Sequence, residues 1–180
     1  MTGNGRDDRR HGHDNVDTAK NSPASDGAMV AWLSEPLKLD LKTESSKKLP
    51  RETGGVLVGH RTSDGFFITG ATGPGPKAVL TRSRFRRDGT YTQEEVDRLF
   101  VESAGREDYL GEWHSHPAPM GPSPKDHASM EWISKNRDYA RPEPLLVIVQ
   151  RALSLEWRLL AFVCRDGLLV PIAVQFVGNA

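Results

Sequence analysis

The segment Gly-Glu-Trp-His-Ser-His-Pro at 111–117 constrains the fold of this chain more than any other stretch of its sequence. The apolar residues that lead into it predict a strand, which Pro117 ends because proline cannot donate to a sheet ladder. Side chains two apart on a strand point to the same face, so His114 and His116 stand about 7 Å apart at their backbones. Because Zn–N bonds are about 2.0–2.1 Å long, two imidazoles at this spacing can converge on one metal ion.

A third candidate ligand, Asp126, follows in the segment Ser-Pro-Lys-Asp at 123–126. This segment predicts the start of a helix over 123–135, with Ser123 as N-cap and Pro124 at the first helical position. The helix places Asp126 on the same face as Met130 and Ile133, so its carboxylate points inward. The capping role and a ligand role are compatible. Two histidines, one carboxylate and an open fourth position describe a catalytic zinc site.

An upstream motif, Pro-Arg-Glu-Thr-Gly-Gly at 50–55, places Glu52 just before a predicted apolar strand over 54–59. Together with the His-Ser-His-Pro and Ser-x-x-Asp motifs, it resembles the JAMM (JAB1/MPN/Mov34) metalloproteases. The motifs and their order are most similar to those of the stand-alone prokaryotic JAB peptidases that accompany bacterial ubiquitin-like conjugation systems. The resemblance runs over about residues 31–177. One departure is that the spacing from His116 to Asp126 is one position shorter than usual, which shortens the loop at 117–122.

The resemblance implies an α/β fold of the MPN, or cytidine-deaminase-like, kind: a curved mixed β-sheet with flanking helices and zinc at the sheet edge. It also implies one Zn²⁺ per chain, held by His114, His116 and Asp126. Glu52 matches the family's general base, and Ser123 matches the serine that helps to stabilise the oxyanion. From the residues alone a second base is open, since Glu112 shares the strand face of the histidines. We favour Glu52.

In function, the resemblance implies a zinc-dependent isopeptidase that hydrolyses the bond after the C-terminus of a ubiquitin-like protein. The reaction is conjugate removal or precursor processing. The expected partner is a ubiquitin-like protein or its conjugate, with the associated activating and conjugating enzymes as further candidates. Two alternatives stay open: a peptidase that trims a sulfur-carrier-type protein, and a non-catalytic MPN scaffold. Such scaffolds typically lack some of the metal ligands, whereas this chain has the complete set.

Charge and cysteine content narrow the remaining classes. The 180 residues carry 24 Lys and Arg against 24 Asp and Glu, so neither nucleic acid nor a membrane is an expected partner. Cys164 is the one cysteine, which precludes an intramolecular disulfide, and its apolar surroundings predict a buried thiol. There is no apolar run of about 18 residues and no hydrophobic signal core, so a cytoplasmic location is expected.

The sequence divides into two parts. Residues 1–28 are almost free of large apolar side chains and predict a disordered tail, in which His11 and His13 are solvated. Residues 29–180 predict one JAMM/MPN metalloprotease domain. Its first element is a predicted helix over 29–49, based on the helical spacing of Leu33, Leu37 and Leu41. Asp64-Gly65 then predicts a hairpin turn.

Further along, Arg82, Arg84 and Arg86 would share one face of a strand, either as a solvated edge or as a grip on an acidic partner. A capping box from Thr92 to Glu95 predicts a helix that ends near residue 103. Apolar runs at 145–150, 155–163 and 168–177 predict three closing strands.

Overall fold

The computed structural model describes residues 29–178, so the predicted tail with His11 and His13 lies outside the described residues. Three helices and one 3-10 turn accompany the strands in this part of the chain. The strands are β1 (Val30–Ser34), β2 (Gly54–Thr62), β3 (Gly65–Ala71), β4 (Val79–Leu80), β5 (Phe85–Arg86), β6 (Asp108–His116), β7 (Leu145–Arg151), β8 (Trp157–Arg165) and β9 (Leu168–Val177). The helices are α1 (Glu35–Lys48), α2 (Gly89–Glu102) and α3 (Pro124–Lys135), and the 3-10 turn is Arg137–Tyr139.

The main sheet has the strand order β1-β3-β2-β6-β7-β8-β9 and closes on itself where β1 pairs with β9. Its pairing is mixed: β1 runs parallel to both β3 and β9, β6 runs parallel to β7, and the other neighbours are antiparallel. The predicted α/β architecture with a curved mixed sheet is therefore confirmed. The closure through β1 adds a feature that the sequence did not indicate.

Two apolar clusters cover the two faces of this sheet. Along β7, alternate residues enter different clusters, with Val147 in the one that also contains Leu41 of α1. Ile148 enters the cluster formed with α2 and α3. A strand buried on both faces reads as a continuous apolar run, as the sequence at 145–149 does. Cys164 is fully buried in the second cluster, as predicted.

The predicted helix over 29–49 is wrong in its first third. Residues 30–34 form β1, and α1 begins at Glu35, with the Ser34 hydroxyl accepting a 3.2 Å hydrogen bond from the Leu37 amide. Ala31 and Leu33 are buried with a spacing of two, which is the periodicity of a strand. Pairing with β3 and β9 on both sides stabilises this strand over the local helical pattern.

The start of α2 also differs from its prediction by about one turn. The N-cap is Asp88, whose side chain accepts from the Tyr91 amide, and the helix begins at Gly89. Thr92, the predicted cap, lies inside the helix and donates its hydroxyl proton to the Asp88 carbonyl at 3.1 Å. Of the helices in residues 29–178, none is long and apolar enough to cross a membrane.

The predicted strand face with three arginines is wrong as well. β4 and β5, of two residues each, pair as a hairpin. Arg82 and Arg84 lie in its turn, which the Thr81 amide closes by donating to the Arg84 carbonyl. Only Arg86 of the three is in a strand. The hairpin at 64–65, the helix over 123–135 and the three closing strands are confirmed to within a few residues.

We expect Gly111→Ala to destabilise the fold, because the backbone of β7 leaves no room for a side chain at Gly111 of β6. A Cβ atom there would lie 2.6 Å from the Leu145 amide nitrogen and closer still to its carbonyl oxygen. The expected loss in free energy of unfolding is about 1–3 kcal/mol, measured by urea denaturation. Gly73→Ala is the control, because a Cβ at Gly73 meets no heavy atom within 4 Å. Equal stability of the two variants would contradict the packing argument.

Candidate metal centre and active site

The end of β6 and the first turn of α3 bring the three predicted metal ligands together. The Nε2 atoms of His114 and His116 are 3.0 Å apart. Asp126 places Oδ1 3.3 Å from the first of these atoms and Oδ2 3.5 Å from the second. Among the described residues, these three form the one group of this kind whose ligand atoms lie within 4.8 Å of one another.

These distances fit a zinc ion. Four ligands in a tetrahedron, at bond lengths of about 2.0–2.2 Å, separate neighbouring ligand atoms by roughly 3.3–3.6 Å. The observed separations of 3.0–3.5 Å lie at that value or slightly below it. Two imidazoles and one carboxylate are also a donor set that zinc favours when a site keeps one position open.

The loop at 117–122 orients His116. The Nδ1 atom of His116 donates to the Met120 carbonyl oxygen at 3.0 Å, which leaves Nε2 of the same ring facing His114 and Asp126. A hydrogen bond from the second ring nitrogen is the usual way in which a ligating histidine is held in one tautomer. The loop that is one position shorter than usual therefore still supplies this contact.

The first turn of α3 holds Asp126 in place, as the sequence predicted. The Asp126 amide donates to Ser123 Oγ at 3.3 Å, and the Ser123 amide donates to Asp126 Oδ2 at 2.7 Å, which completes a capping box. Burial of the carboxyl opposes ionisation, but hydrogen bonds from His114 and His116 outweigh it and hold the pKa of Asp126 far below its usual range. The group is a carboxylate at neutral pH.

The register of β2 on β6 brings Glu52 to the same place. Gly54 lies opposite His114 in the antiparallel ladder, so Glu52, two residues before Gly54, comes beside His116. The Glu52 amide donates to the Thr81 carbonyl oxygen of the β4–β5 hairpin at 2.7 Å. Burial raises the pKa of the Glu52 carboxyl, against the opposing effect of the two histidines.

Gly54 leaves the space that the site needs. A Cβ atom there would lie 2.7 Å from the Phe85 ring and 2.8 Å from the His114 Cβ, and would overlap the Trp113 carbonyl. A side chain at this position would therefore push β5 or His114 out of place. The sequence predicted Gly54 only as the start of a strand, because its role at the site depends on Phe85, which is distant in sequence.

The second candidate base, Glu112, is engaged by an arginine. Arg87 Nη2 lies 2.8 Å from Glu112 Oε1 and donates to the Tyr139 hydroxyl at 3.1 Å. Burial raises the pKa of the Glu112 carboxyl, and Arg87 opposes that rise. Sequence reasoning missed Arg87, since no local pattern links it to Glu112 on a different element.

The candidate metal ligands line one cavity of about 340 Å³ together with Glu52 and Glu112. It contains all five predicted site residues, His114, His116, Asp126, Glu52 and Ser123. The β4–β5 hairpin and α3 both contribute residues to its walls. The arrangement combines a candidate metal centre with the Glu52 carboxylate, which makes no ion pair with another described residue, and a serine hydroxyl. This combination is suited to hydrolysis of an acyl bond.

We expect Arg87→Met to destabilise the protein in a pH-dependent way. Without Arg87, the Glu112 carboxylate stays largely buried with no cation, which costs about 1–3 kcal/mol of unfolding free energy at pH 7. Because burial raises the folded-state pKa of Glu112, the protonated form is favoured on folding. The loss should therefore be small below about pH 4, near the unfolded pKa, and grow as the pH rises through the folded pKa.

Urea denaturation of Arg87→Met at pH 7 and below about pH 4 tests this prediction. Two further variants serve as comparisons. Arg87→Met/Glu112→Gln should recover much of the loss, since no buried charge remains. Arg98→Met is the matched control, because Arg98 pairs with Glu95 and Glu102 on the exposed surface of α2 and should cost less than about 1 kcal/mol. A loss from Arg87→Met that is equal at both pH values would contradict the role assigned to the Glu112 charge.

Comparison with known proteins agrees with this geometry. The CD-NTase/cGAS isopeptidase of Escherichia coli is 34% identical over 98 residues, which are 54% of this chain and 60% of that protein. The probable metalloprotease y4qB of Sinorhizobium fredii is 29% identical over 123 residues, 67% of this chain and 75% of that protein. The matched segment thus spans only about 60% of the length of the first of these relatives.

A solved structure with the same fold is that of protein DSY2949 from Desulfitobacterium hafniense, with a TM-score of 0.64 at 18% identity. The match covers 84% of this chain and 94% of that one. A family model described as prokaryotic homologs of the JAB domain matches residues 34–160, well over half of the chain. The resemblance to the JAMM/MPN proteins is thereby confirmed, and the chain belongs to the prokaryotic JAB-domain family.

Proposed function

We propose that the chain is a zinc-dependent peptidase that hydrolyses the bond after the C-terminus of a ubiquitin-like protein, in conjugate removal or precursor processing. The observation that carries this proposal is the convergence of His114, His116 and Asp126 beside the free carboxylate of Glu52. The names of the relatives, isopeptidase and metalloprotease, support hydrolysis of an amide bond.

One zinc ion per chain would be held by His114, His116 and Asp126. When bound, it supplies Lewis acidity toward the scissile carbonyl and lowers the pKa of a coordinated water toward neutrality. The chain fixes the geometry for this through the Met120 carbonyl behind His116 and the Ser123 amide behind Asp126. Both contacts hold the donor atoms in place before any substrate binds.

Glu52 would take the proton from the attacking water and return it to the leaving amine. Its carboxylate makes no ion pair with any other described residue, and burial raises its pKa toward the range that suits a general base. Glu112 lines the same cavity but is held by Arg87. An engaged carboxylate is a poorer proton acceptor, which favours Glu52 for this role.

Ser123 would help to stabilise the negative charge that develops on the carbonyl oxygen. Its Oγ atom accepts from the Asp126 amide, so its own proton remains available for donation. The hydroxyl lies in the cavity beside the metal ligands, where that charge develops. The N-cap role and this role use different parts of the same hydroxyl.

The substrate would be a ubiquitin-like protein or its conjugate, handled in the cytoplasm with the activating and conjugating enzymes of such a system as further partners. Three of the relatives are named CD-NTase/cGAS isopeptidases, which makes a conjugate of a CD-NTase a candidate to test first. Mass spectrometry of the products separates deconjugation from trimming of a sulfur-carrier-type protein, because trimming removes only a short tail.

The metal prediction is that the purified protein contains about one zinc per chain and that His116→Ala loses most of it. Three protein ligands are needed to hold the ion, and removal of one leaves two. Elemental analysis by mass spectrometry after dialysis measures this. His60→Ala is the control, because His60 is exposed on β2 and packs on Phe67 outside the cavity. Full zinc content in the double variant His114→Ala/His116→Ala would rule out the assigned site.

The catalytic prediction is that Glu52→Gln keeps the fold and the zinc but loses about 10²–10⁴-fold in turnover, the usual contribution of general acid–base catalysis. The loss should fall on kcat rather than KM, since the substrate tail would still bind. Cleavage of a ubiquitin-like protein fused to a reporter measures both parameters.

Glu112→Gln is the matched control for that experiment, because it makes the same change in the other glutamate of the cavity. It should keep most of the activity, or lose part of it indirectly through the Arg87 contact. An inactive Glu112→Gln beside an active Glu52→Gln would show that the base is assigned to the wrong residue. Loss of zinc in Glu52→Gln would instead make Glu52 a ligand.

A further inference from the structure

A second cavity, of about 410 Å³, extends the metal cavity along α3. The two cavities share four lining residues, Phe85 and Glu112 on the strand side and Lys125 and Ser129 on the helix. They therefore form one continuous groove that leads from the metal ligands to Trp132 near the other end of α3. We call the second cavity, from Lys125 to Trp132 along α3, the outer groove.

The helical wall of the outer groove has a regular pattern. Lys125, Ser129 and Trp132 follow one another at spacings of four and three, so they lie along one side of α3. From Lys125 to Trp132 this side is about 10 Å long, which is the length of about three residues of extended chain. The small side chains of Ala128 and Ser129 lie between the two large ones and leave room for such a segment.

Trp132 is a large apolar side chain at the end of this groove. It is 58% exposed, and its ring stands edge-on to Tyr139 with the centroids 5.6 Å apart. Tyr139 is in turn fixed by the hydrogen bond from Arg87. An exposed indole held rigid by its neighbours is typical of the few residues that dominate a binding interface.

The groove carries a net positive charge. Arg82 lines its metal end, Arg86 lines its outer part and Lys125 lies where the two cavities meet. None of these three makes an ion pair with another described residue. Glu112, the acidic residue of the outer part, is already neutralised by Arg87. A bound chain would therefore meet cations on both walls and an apolar surface at the end.

We propose that the outer groove binds an extended acidic and apolar segment of the protein substrate next to its scissile bond. Acidic side chains would contact Lys125 and Arg86, and an apolar side chain would pack on Trp132. A basic segment would meet like charges and is selected against. This inference rests on the proposed function only for the position of the scissile bond, since the binding itself needs no catalysis.

The test measures binding to the full chain by fluorescence anisotropy, with two labelled hexapeptides: one of alternating Asp and Leu, and one of alternating Lys and Leu. The acidic peptide should bind at least about tenfold more tightly than the basic one. Trp132→Ala and Arg86→Glu should each weaken binding of the acidic peptide by about tenfold. Arg86→Glu should also narrow the difference between the two peptides.

Two matched controls lie away from the groove. Leu153→Ala removes an apolar side chain that is 88% exposed in the β7–β8 turn, and Arg158→Glu reverses an exposed charge on β8. Both should bind the acidic peptide as the unmodified chain does. Equal affinity for the two peptides, or unchanged affinity in Trp132→Ala and Arg86→Glu, overturns the proposal. Binding that is weakened by Trp132→Ala and Arg86→Glu, without cleavage of any reporter, supports the proposed binding groove. That result counts only against the proposed hydrolysis.

Discussion

The pairing of β2 with β6 is the contact on which the metal cavity depends. Between His114 and His116, Ser115 points the other way, and its hydroxyl accepts from the Thr53 amide at 3.0 Å. The Ser115 amide in turn donates to the Thr53 carbonyl at 2.7 Å. The fully buried Ser115 thus fixes the start of β2, and the alternation of side chains then brings Glu52 beside His116. A slip by one residue would place Glu52 on the opposite face.

Burial of apolar side chains makes such a slip costly. Trp113 is 2% exposed and donates its indole proton to the Thr72 carbonyl at 2.9 Å, while the Thr72 hydroxyl accepts from the Val56 amide at 3.1 Å. A register shift would expose the indole and break both contacts. The ladder also contains a bulge, in which Leu110 is the extra residue between the pairs formed by its neighbours, and Leu110 is itself buried. Packing energy from the sheet interior thereby sets the geometry of a polar site at its edge.

The features that the sequence predicted correctly depend on patterns of neighbouring residues. The His-x-His pair, the capped start of α3 and the β2–β3 turn each depend on residues within a few positions of one another, and all three were found. What was missed depends on distant partners. Residues 30–34 become a strand because β3 and β9 lie on both sides of them, and neither partner shows in the helical spacing of the leucines. Arg87 is found only through Glu112 and Tyr139, which belong to other elements.

The two glutamates of the cavity show how environment separates residues of the same type. Burial raises the pKa of both Glu52 and Glu112, so neither is an ordinary surface group. Glu112 is bound to Arg87, and Arg87 follows directly on β5, the strand that lines the groove. The ion pair therefore ties the strand that carries the histidines to the β4–β5 hairpin. The same ion pair occupies Glu112, whereas Glu52 is the glutamate of this cavity that makes no ion pair with another described residue.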